Sequence, residues 1–322
     1  MAAGGDDGQA ADDPRKRDFA IVVGIKRYPK LSRDGTVADL QGSETDAEKV
    51  RDWLVSVQGG GLPPQNIEFV VRPRNMPKDA PAPTRDAVVE AFVNMYARCW
   101  TDSGAPRIPT GRRLYVYVSG HGLANDLDHG ALLCSNSSNN LYSTVAPYTA
   151  IKAFRQAGFF DQFVVWFDGC MDWAGIEGDV VNYSPRPGNN PNPPGPVFTA
   201  YAARPRLRAV EAPDGNGVVS GIFTRALLAG LEGEAVDSTT GEINGIGLQN
   251  HLFNAMPKYF PDAVKTNVLV DKQPSVRTDP GIIFATNKAA TKTTAVLNFG
   301  AEHNGALARL WGQARGSLSL ID

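Results

Sequence analysis

The sequence predicts an α/β fold: a mainly parallel central sheet with helices on both faces. Three observations carry the prediction. Unbroken apolar, β-branched and aromatic runs recur at 19–25, 114–118 and 163–167, the signature of strands buried on both faces. Segments with apolar residues at helical spacing alternate with them. Two of the runs stop at small turn residues and lead straight to a reactive side chain: His121 after Ser119-Gly120, and Cys170 after Asp168-Gly169. In open α/β sheets, functional groups stand just beyond the carboxyl ends of the strands.

The elements follow in order. The first residues, 1–17, are mostly Gly, Ala, Asp and basic residues and read as a disordered tail. They lack the apolar stretch of a signal peptide. The run at 19–25 is the first strand. Ser43 is expected to cap a helix reaching about Val57, with Ala47, Val50, Trp53, Leu54 and Val57 on its apolar face. Asp46 and Glu48 near its start complement the helix dipole. Gly59-Gly60-Gly61 ends it. A second strand is expected over 67–71, and a helix capped by Thr84 over 84–100. The strand at 114–118 leads to His121, and a short strand is expected at 130–134. A helix at 147–157 precedes the strand at 163–167. The stretch 175–196, rich in Gly, Pro and Asn, is a long loop close behind Cys170. A strand at 197–203, a turn at 214–217, helices at 223–231 and 248–256 and a last strand at 267–270 complete the domain, expected to span 18–280. Beyond Pro280 the character changes. Runs at 294–299 and 318–321 read as strands with His303 and Trp311 between them, so 281–322 reads as a β-rich appendage or the start of a further domain.

Composition narrows the function. The chain has 322 residues, 42% of them hydrophobic, and a net charge of −2, so nothing marks it for nucleic acid or a membrane surface. No apolar run approaches the ~18 residues of a membrane span. Three cysteines, Cys99, Cys134 and Cys170, are odd in number and widely spaced. They suit neither a disulfide framework nor a zinc site, and they point to a reducing cytoplasm.

The chemistry centres on His121 and Cys170. If their strands are parallel neighbours, the two side chains emerge together. A free thiol has a pKa of about 8.5 and needs an imidazole to lower it or take its proton. The glycines on either side of His121 allow a sharp turn that leaves the ring exposed. Cys99 and Cys134 have no such setting and read as structural, with a minor role left open for Cys134 at the end of a strand near the site; His129 reads as part of a solvated loop and His251 as an ordinary surface or core histidine on an amphipathic helix.

These residues meet a known family. The chain resembles the caspase-like cysteine peptidases (clan CD), of the bacterial metacaspase and orthocaspase type. Four segments carry the resemblance: Ala20-Ile-Val-Val-Gly-Ile25 with Leu40-Gln-Gly-Ser-Glu-Thr-Asp-Ala47; Ser119-Gly-His-Gly122; Asp168-Gly-Cys170; and Gly221-Ile-Phe-Thr-Arg-Ala-Leu-Leu228. A histidine about 50 residues upstream of the cysteine is also a caspase spacing. The resemblance spans roughly Phe19 to Val270 and implies a caspase-like fold. It departs just after the cysteine, where metacaspases continue His-Ser-Gly and this chain has Met171-Asp172-Trp173.

The resemblance implies peptide-bond hydrolysis, with Cys170 as nucleophile, His121 as acid–base partner, and the N–H groups of Gly122 and Cys170 facing the oxyanion. It implies an acidic pocket at the positions of Asp46 and Asp168, and so cleavage after Arg or Lys. From the residues alone, Asp46 is a first-turn carboxylate and Asp168 a turn former. Asp172 is either a third pocket acid or a solvated one. Arg186 is the candidate self-cleavage site, with Arg204, Arg206 and Arg208 as rivals. Several metacaspases need calcium, which brings in Asp126, Asp128, Glu177 and Asp179. None of these sits in a calcium-loop spacing, so no cofactor is expected. The expected partners are a protein or peptide substrate and an upstream activator, for a cytoplasmic monomer acting in a bacterial defence or cell-death pathway. The competing reading is a catalytically silent scaffold of the same fold, favoured by Met171-Asp172-Trp173 and opposed by the retained pair of His121 and Cys170. A nucleotide-binding protein or serine hydrolase ranks far below, because the chain has no P-loop, G-x-G-x-x-G or G-x-S-x-G.

Overall fold

The computed structural model describes residues 13–33, 36–37, 39–77, 79–124, 130–171, 195–261, 272–286, 310–314 and 317–321. The chain divides into two units, Met1–Thr291 and Lys292–Asp322.

The larger unit opens on a 3-10 turn, Pro14–Arg17, whose Asp13 cap accepts the Arg15 N–H. These residues were expected in the tail. Arg15 holds them down by donating to Val57 O at 2.8 Å. The regular elements are then β1 (Asp18–Gly24), the small antiparallel pair β2 (Ser32–Arg33) and β3 (Thr36–Val37), α1 (Ser43–Val55), β4 (Ile67–Val70) and α2 (Arg85–Ala97). β5 (Gly111–Ser119), β6 (Gly122–Ala124), β7 (Gly130–Leu133), β8 (Thr144–Val145), α3 (Pro147–Ala157) and β9 (Phe160–Asp168) follow. The unit closes with β10 (Val197–Tyr201), β11 (Glu211–Pro213), β12 (Val219–Gly221), α4 (Ile222–Ala229), β13 (Glu242–Asn244), α5 (Gly245–Tyr259), β14 (Ser275–Thr278) and β15 (Ile283–Thr286).

Six strands form the central sheet in the order β14-β10-β9-β5-β1-β4. All neighbours are parallel except β14, which runs antiparallel to β10 at the edge. The expected architecture is the one observed. Alternation along the strands divides the core in two. Ala20 and Val22, Tyr115 and Tyr117, and Val164 and Trp166 face α1, α4 and α5. Ile21 and Val23, Leu114, Val116 and Val118, and Phe163, Val165 and Phe167 face α2 and α3. Burial on both faces is why these strands read as continuous apolar runs.

Several expectations are corrected. Ser43 is the first residue of α1 rather than its cap; Gly42 occupies that place and makes no side-chain cap bond. The Glu211 carboxylate, remote in sequence, accepts the Gln41 and Gly42 N–H groups at 2.9 Å each. α1 stops at Val55, and Val57 is 79% exposed rather than on an apolar face. The expected strand at 267–270 lies outside the described residues, and β14 holds that edge of the sheet. Past Pro280 the chain does not leave the core at once. β15 pairs with β13, Ile282 and Phe284 are buried, and the fully buried Arg113 donates to Ile283 O at 2.7 Å.

The smaller unit contains an antiparallel hairpin, β16 (Leu310–Ala314) with β17 (Ser317–Ile321). The strand expected at 318–321 is there, and Trp311 lies in its partner strand rather than between strands. The run at 294–299 and His303 lie outside the described residues.

Candidate active site

β5 and β9 are adjacent at the centre of the sheet, and Ser119 pairs with Asp168 at their carboxyl ends. His121 and Cys170 therefore each stand two residues beyond that pair, on neighbouring parallel strands. Both are partly exposed. The two turns pack backbone to backbone: Gly120 N–H donates to Asp168 O at 3.1 Å. Glycine is required for this approach. A Cβ on Gly122 would stand 2.5 Å from Cys170 O, and one on Gly169 would stand 2.7 Å from Gly120 O.

The order of the strands reverses next to the site, between β1 and β5. The chain runs from β1 to β4 on one side and then returns to place β5 on the other side of β1. Such a switch point opens a crevice between the following loops. The loop after β1 brings Tyr28 beneath His121, and the segment after β10 forms the far wall. Within that segment Met171 N–H donates to Leu207 O at 2.9 Å, and Arg206 N–H donates to Met171 O at 2.7 Å. Cys170 Sγ lies 3.9 Å from Ala209 O. Arg206 has φ 72°, a left-handed conformation uncommon outside glycine. Met171, the residue after Cys170, is fully buried in the core, whereas Asp172 and Trp173 lie outside the described residues.

A cavity of about 210 Å³ joins His121 and Cys170 to three carboxylates, Asp46, Asp168 and Glu211, with Ser119, Arg208 and Gly221 also in its lining. Asp168 is buried and its Oδ2 accepts Thr224 Oγ1–H at 2.6 Å and Thr224 N–H at 3.2 Å. Asp46 accepts the Ser220 hydroxyl and, at 2.7 Å, the Gly221 N–H. Burial pushes Asp168 up to about 7, with the Asp46 charge adding to the effect. Burial likewise pushes Asp46 up to about 6, against the hydrogen bonds from Ser220 and Gly221. The bonds hold the carboxylates in place but do not offset their desolvation.

Asp46 and Asp168 are thus brought into one cavity with His121 and Cys170. Asp172 lies outside the described residues. Glu211, Ser220 and Thr224 had no signal of their own in the sequence. Thr224 and Gly221 fall in a segment that carries the resemblance, but nothing in it links residue 221 to residue 46. Gly221 is opposite Glu211 in the β11–β12 ladder, and a Cβ there would stand 2.0 Å from Asp168 Oδ2. Gly221→Ala must therefore displace the carboxylate. If the cavity binds a cationic side chain, KM for a basic peptide should rise by roughly tenfold or more with a smaller change in kcat, read from steady-state kinetics.

Cys99, Cys134 and His251 are not in the lining of the cavity. Cys99 and Cys134 are buried, and burial pushes their thiols up to about 11 and about 12. Both side chains are part of the core rather than of the cavity lining. His251 is half-buried on α5, with Nε2 3.0 Å from Ala226 O, and burial lowers its pKa. His129, Arg186 and the carboxylates Asp126, Asp128, Glu177 and Asp179 lie outside the described residues. Among the described residues no cluster of His, Cys, Asp or Glu is placed to hold a metal ion. No described helix is long and apolar enough to cross a membrane.

The chain matches no family model. It is 30% identical over 230 residues to a probable protease of a Desulfuromonadales bacterium; the match covers 67% of this chain and 26% of the relative. The chain thus spans about a quarter of that relative's length. Among solved structures, caspase-1 of Spodoptera frugiperda aligns over 86% of this chain and 96% of its own, at 12% identity and a TM-score of 0.49. A Geobacter sulfurreducens protein aligns over 85% and 98%, at 14% identity and a TM-score of 0.47. The chain thus has a mainly parallel sheet between helical layers, with His121 and Cys170 beyond its two central strands, and a relative named as a probable protease.

Proposed function

We propose that the chain is a cysteine endopeptidase that cleaves after Arg or Lys through the dyad of His121 and Cys170. The observation that carries this reading is a single cavity lined by His121, Cys170, Asp46, Asp168 and Glu211. A thiol beside an imidazole is a nucleophile for a carbonyl carbon, and an enclosed set of carboxylates is a receptor for a cationic side chain.

The Cys170 thiolate attacks the scissile carbonyl carbon, and the oxygen that becomes negative is met by the N–H groups of Gly122 and Cys170. The carbon–nitrogen bond breaks, and the leaving amine takes its proton from His121. Water then attacks the thioester carbon and gives a proton to His121, and the Cys170 thiolate leaves. The cation of the residue before the scissile bond enters the acidic cavity. A guanidinium can bridge two carboxylates with its planar fork, and an ammonium meets them as a point charge. No metal takes part in this scheme. The natural partners in this reading are a polypeptide substrate and an upstream activator.

The test is cleavage of matched peptides ending in Arg, Lys and Asp, by the wild type and Cys170→Ala, with and without calcium. Cleavage after Arg or Lys that vanishes in the variant is the expected result. Cleavage after Asp alone would remove Asp46 and Asp168 from the pocket. Cleavage of none of the peptides, with or without calcium, would favour the scaffold reading.

A further inference from the structure

An imidazole that serves a thiol must be held at a fixed angle to it, and His121 sits on a turn between two glycines. The loop after β1 supplies what the turn lacks. Tyr28 is fully buried, and its own N–H donates to Asp39 Oδ1 at 2.8 Å, which fixes where its side chain starts. Its phenol oxygen accepts the His121 backbone N–H at 2.8 Å. The same oxygen lies 3.3 Å from Leu133 O and 3.4 Å from Ile25 O, so its proton has an acceptor as well. On the other side of the peptide, His121 O accepts the Leu133 N–H at 2.8 Å. The backbone at His121 is therefore held at both its N–H and its C=O.

The tyrosine ring acts on the side chain too. Its centroid is 4.7 Å from that of the imidazole, with the planes at 51°. A large rigid ring packed on one face restricts the rotation of the imidazole. The fit depends on Gly120, where a Cβ would stand 2.7 Å from the phenol oxygen. Burial raises the phenol pKa well above its ordinary value, so the hydroxyl stays neutral and keeps both its donor and its acceptor roles.

We propose that Tyr28 is a positioning residue for the dyad: its hydroxyl anchors the His121 backbone and its ring sets the angle of the imidazole toward Cys170. The proposal rests on the dyad reading above. It reaches catalysis through His121 and not by contact with the reacting atoms.

Tyr28→Phe removes the anchor and keeps the ring, whereas Tyr28→Leu removes both. For an Arg-ended peptide we expect kcat to fall by about tenfold in the first and by roughly 10²-fold in the second, with KM within about twofold. A second readout needs no substrate. The rate at which iodoacetamide alkylates Cys170, followed across pH by peptide mass spectrometry, reports the coupling of the thiol to the imidazole. The wild-type profile should differ from that of His121→Ala, and Tyr28→Leu should move toward the His121→Ala profile. Tyr115→Phe is the control, since it deletes a buried phenol hydroxyl that accepts Arg113 Nη1–H at 2.7 Å elsewhere in the same sheet. It should leave kcat and the alkylation profile unchanged. Identical profiles for wild type and His121→Ala would sink the dyad, and the role of Tyr28 with it. Distinct profiles for those two, with Tyr28→Leu matching the wild type, would overturn the role of Tyr28 alone. So would an equal loss of kcat in Tyr115→Phe at an equal loss of thermal stability.

Discussion

Replacing Cys170 by Ala should lower kcat for an Arg-ended peptide by roughly 10⁴-fold or more while KM changes little. In the proposed mechanism the Cys170 thiolate forms the covalent bond to the carbonyl carbon, and no other described cysteine can replace it. Cys99 and Cys134 are buried thiols whose pKa values rise to about 11 and about 12. His121→Ala should cost about 10²- to 10⁴-fold, the usual worth of a positioned acid–base group. The double variant should lose no more than Cys170→Ala alone, because every step that the imidazole assists lies on the covalent path that the thiol opens. Single-turnover kinetics on all three proteins tests this. Additive losses would separate the two residues and remove the dyad. An unchanged Cys170→Ala rate would place the nucleophile elsewhere.

Asp168→Asn should lower kcat/KM for the same peptide by about two orders of magnitude. Truncating one partner of an enclosed charge pair costs roughly 3 kcal/mol, and each 1.4 kcal/mol is tenfold. The asparagine keeps an oxygen to accept from Thr224, so the loss comes from charge and not from a vacated volume. The wild type carries a pH signature with a definite sign. Asp168 and Asp46 are raised to about 7 and about 6, so they bind protons at neutral pH that ordinary carboxylates would have released. A cation binds the ionised form. Affinity for an Arg peptide should therefore rise with pH from about 5 to 7.5, and binding should release protons. Calorimetry of a non-cleaving Cys170→Ala protein in two buffers of different ionisation enthalpy measures both. Stability of the free protein runs the other way. A carboxylate with a raised folded pKa adds stability below its unfolded value of about 4, and that stability is lost as pH rises through the folded value. Asp168→Asn should flatten that fall. Affinity independent of pH over this window would exclude the two aspartates as the cation site.

Legibility in the sequence followed the range of the interaction. Strands β1, β5 and β9 were readable because burial on both faces leaves continuous apolar runs, and Thr84 was readable as a cap because its partner, Ala87 N, is three residues away. Ser43 was misplaced for the opposite reason. The group that satisfies the start of α1 is Glu211, which no local pattern connects to Gly42. The edge strand β14 was missed because a short, half-polar strand with one neighbour has no run to read.

His121 and Cys170 stood out because each follows a strand and a glycine turn, and the sequence by itself determined the α/β class, those two residues and their places at strand ends. The tertiary structure decided that their strands are neighbours with Ser119 opposite Asp168. It also decided that Glu211 is a third carboxylate of the cavity, that Ser220 and Thr224 hold the other two, and that Tyr28 lies against the imidazole. The physical reason is that a strand or a cap is stabilised within a few residues of chain and leaves its pattern there. A pocket is stabilised by contacts across about 50 to 175 residues, such as Asp168 with Thr224 and Asp46 with Gly221, and only the folded chain brings those partners within hydrogen-bond reach.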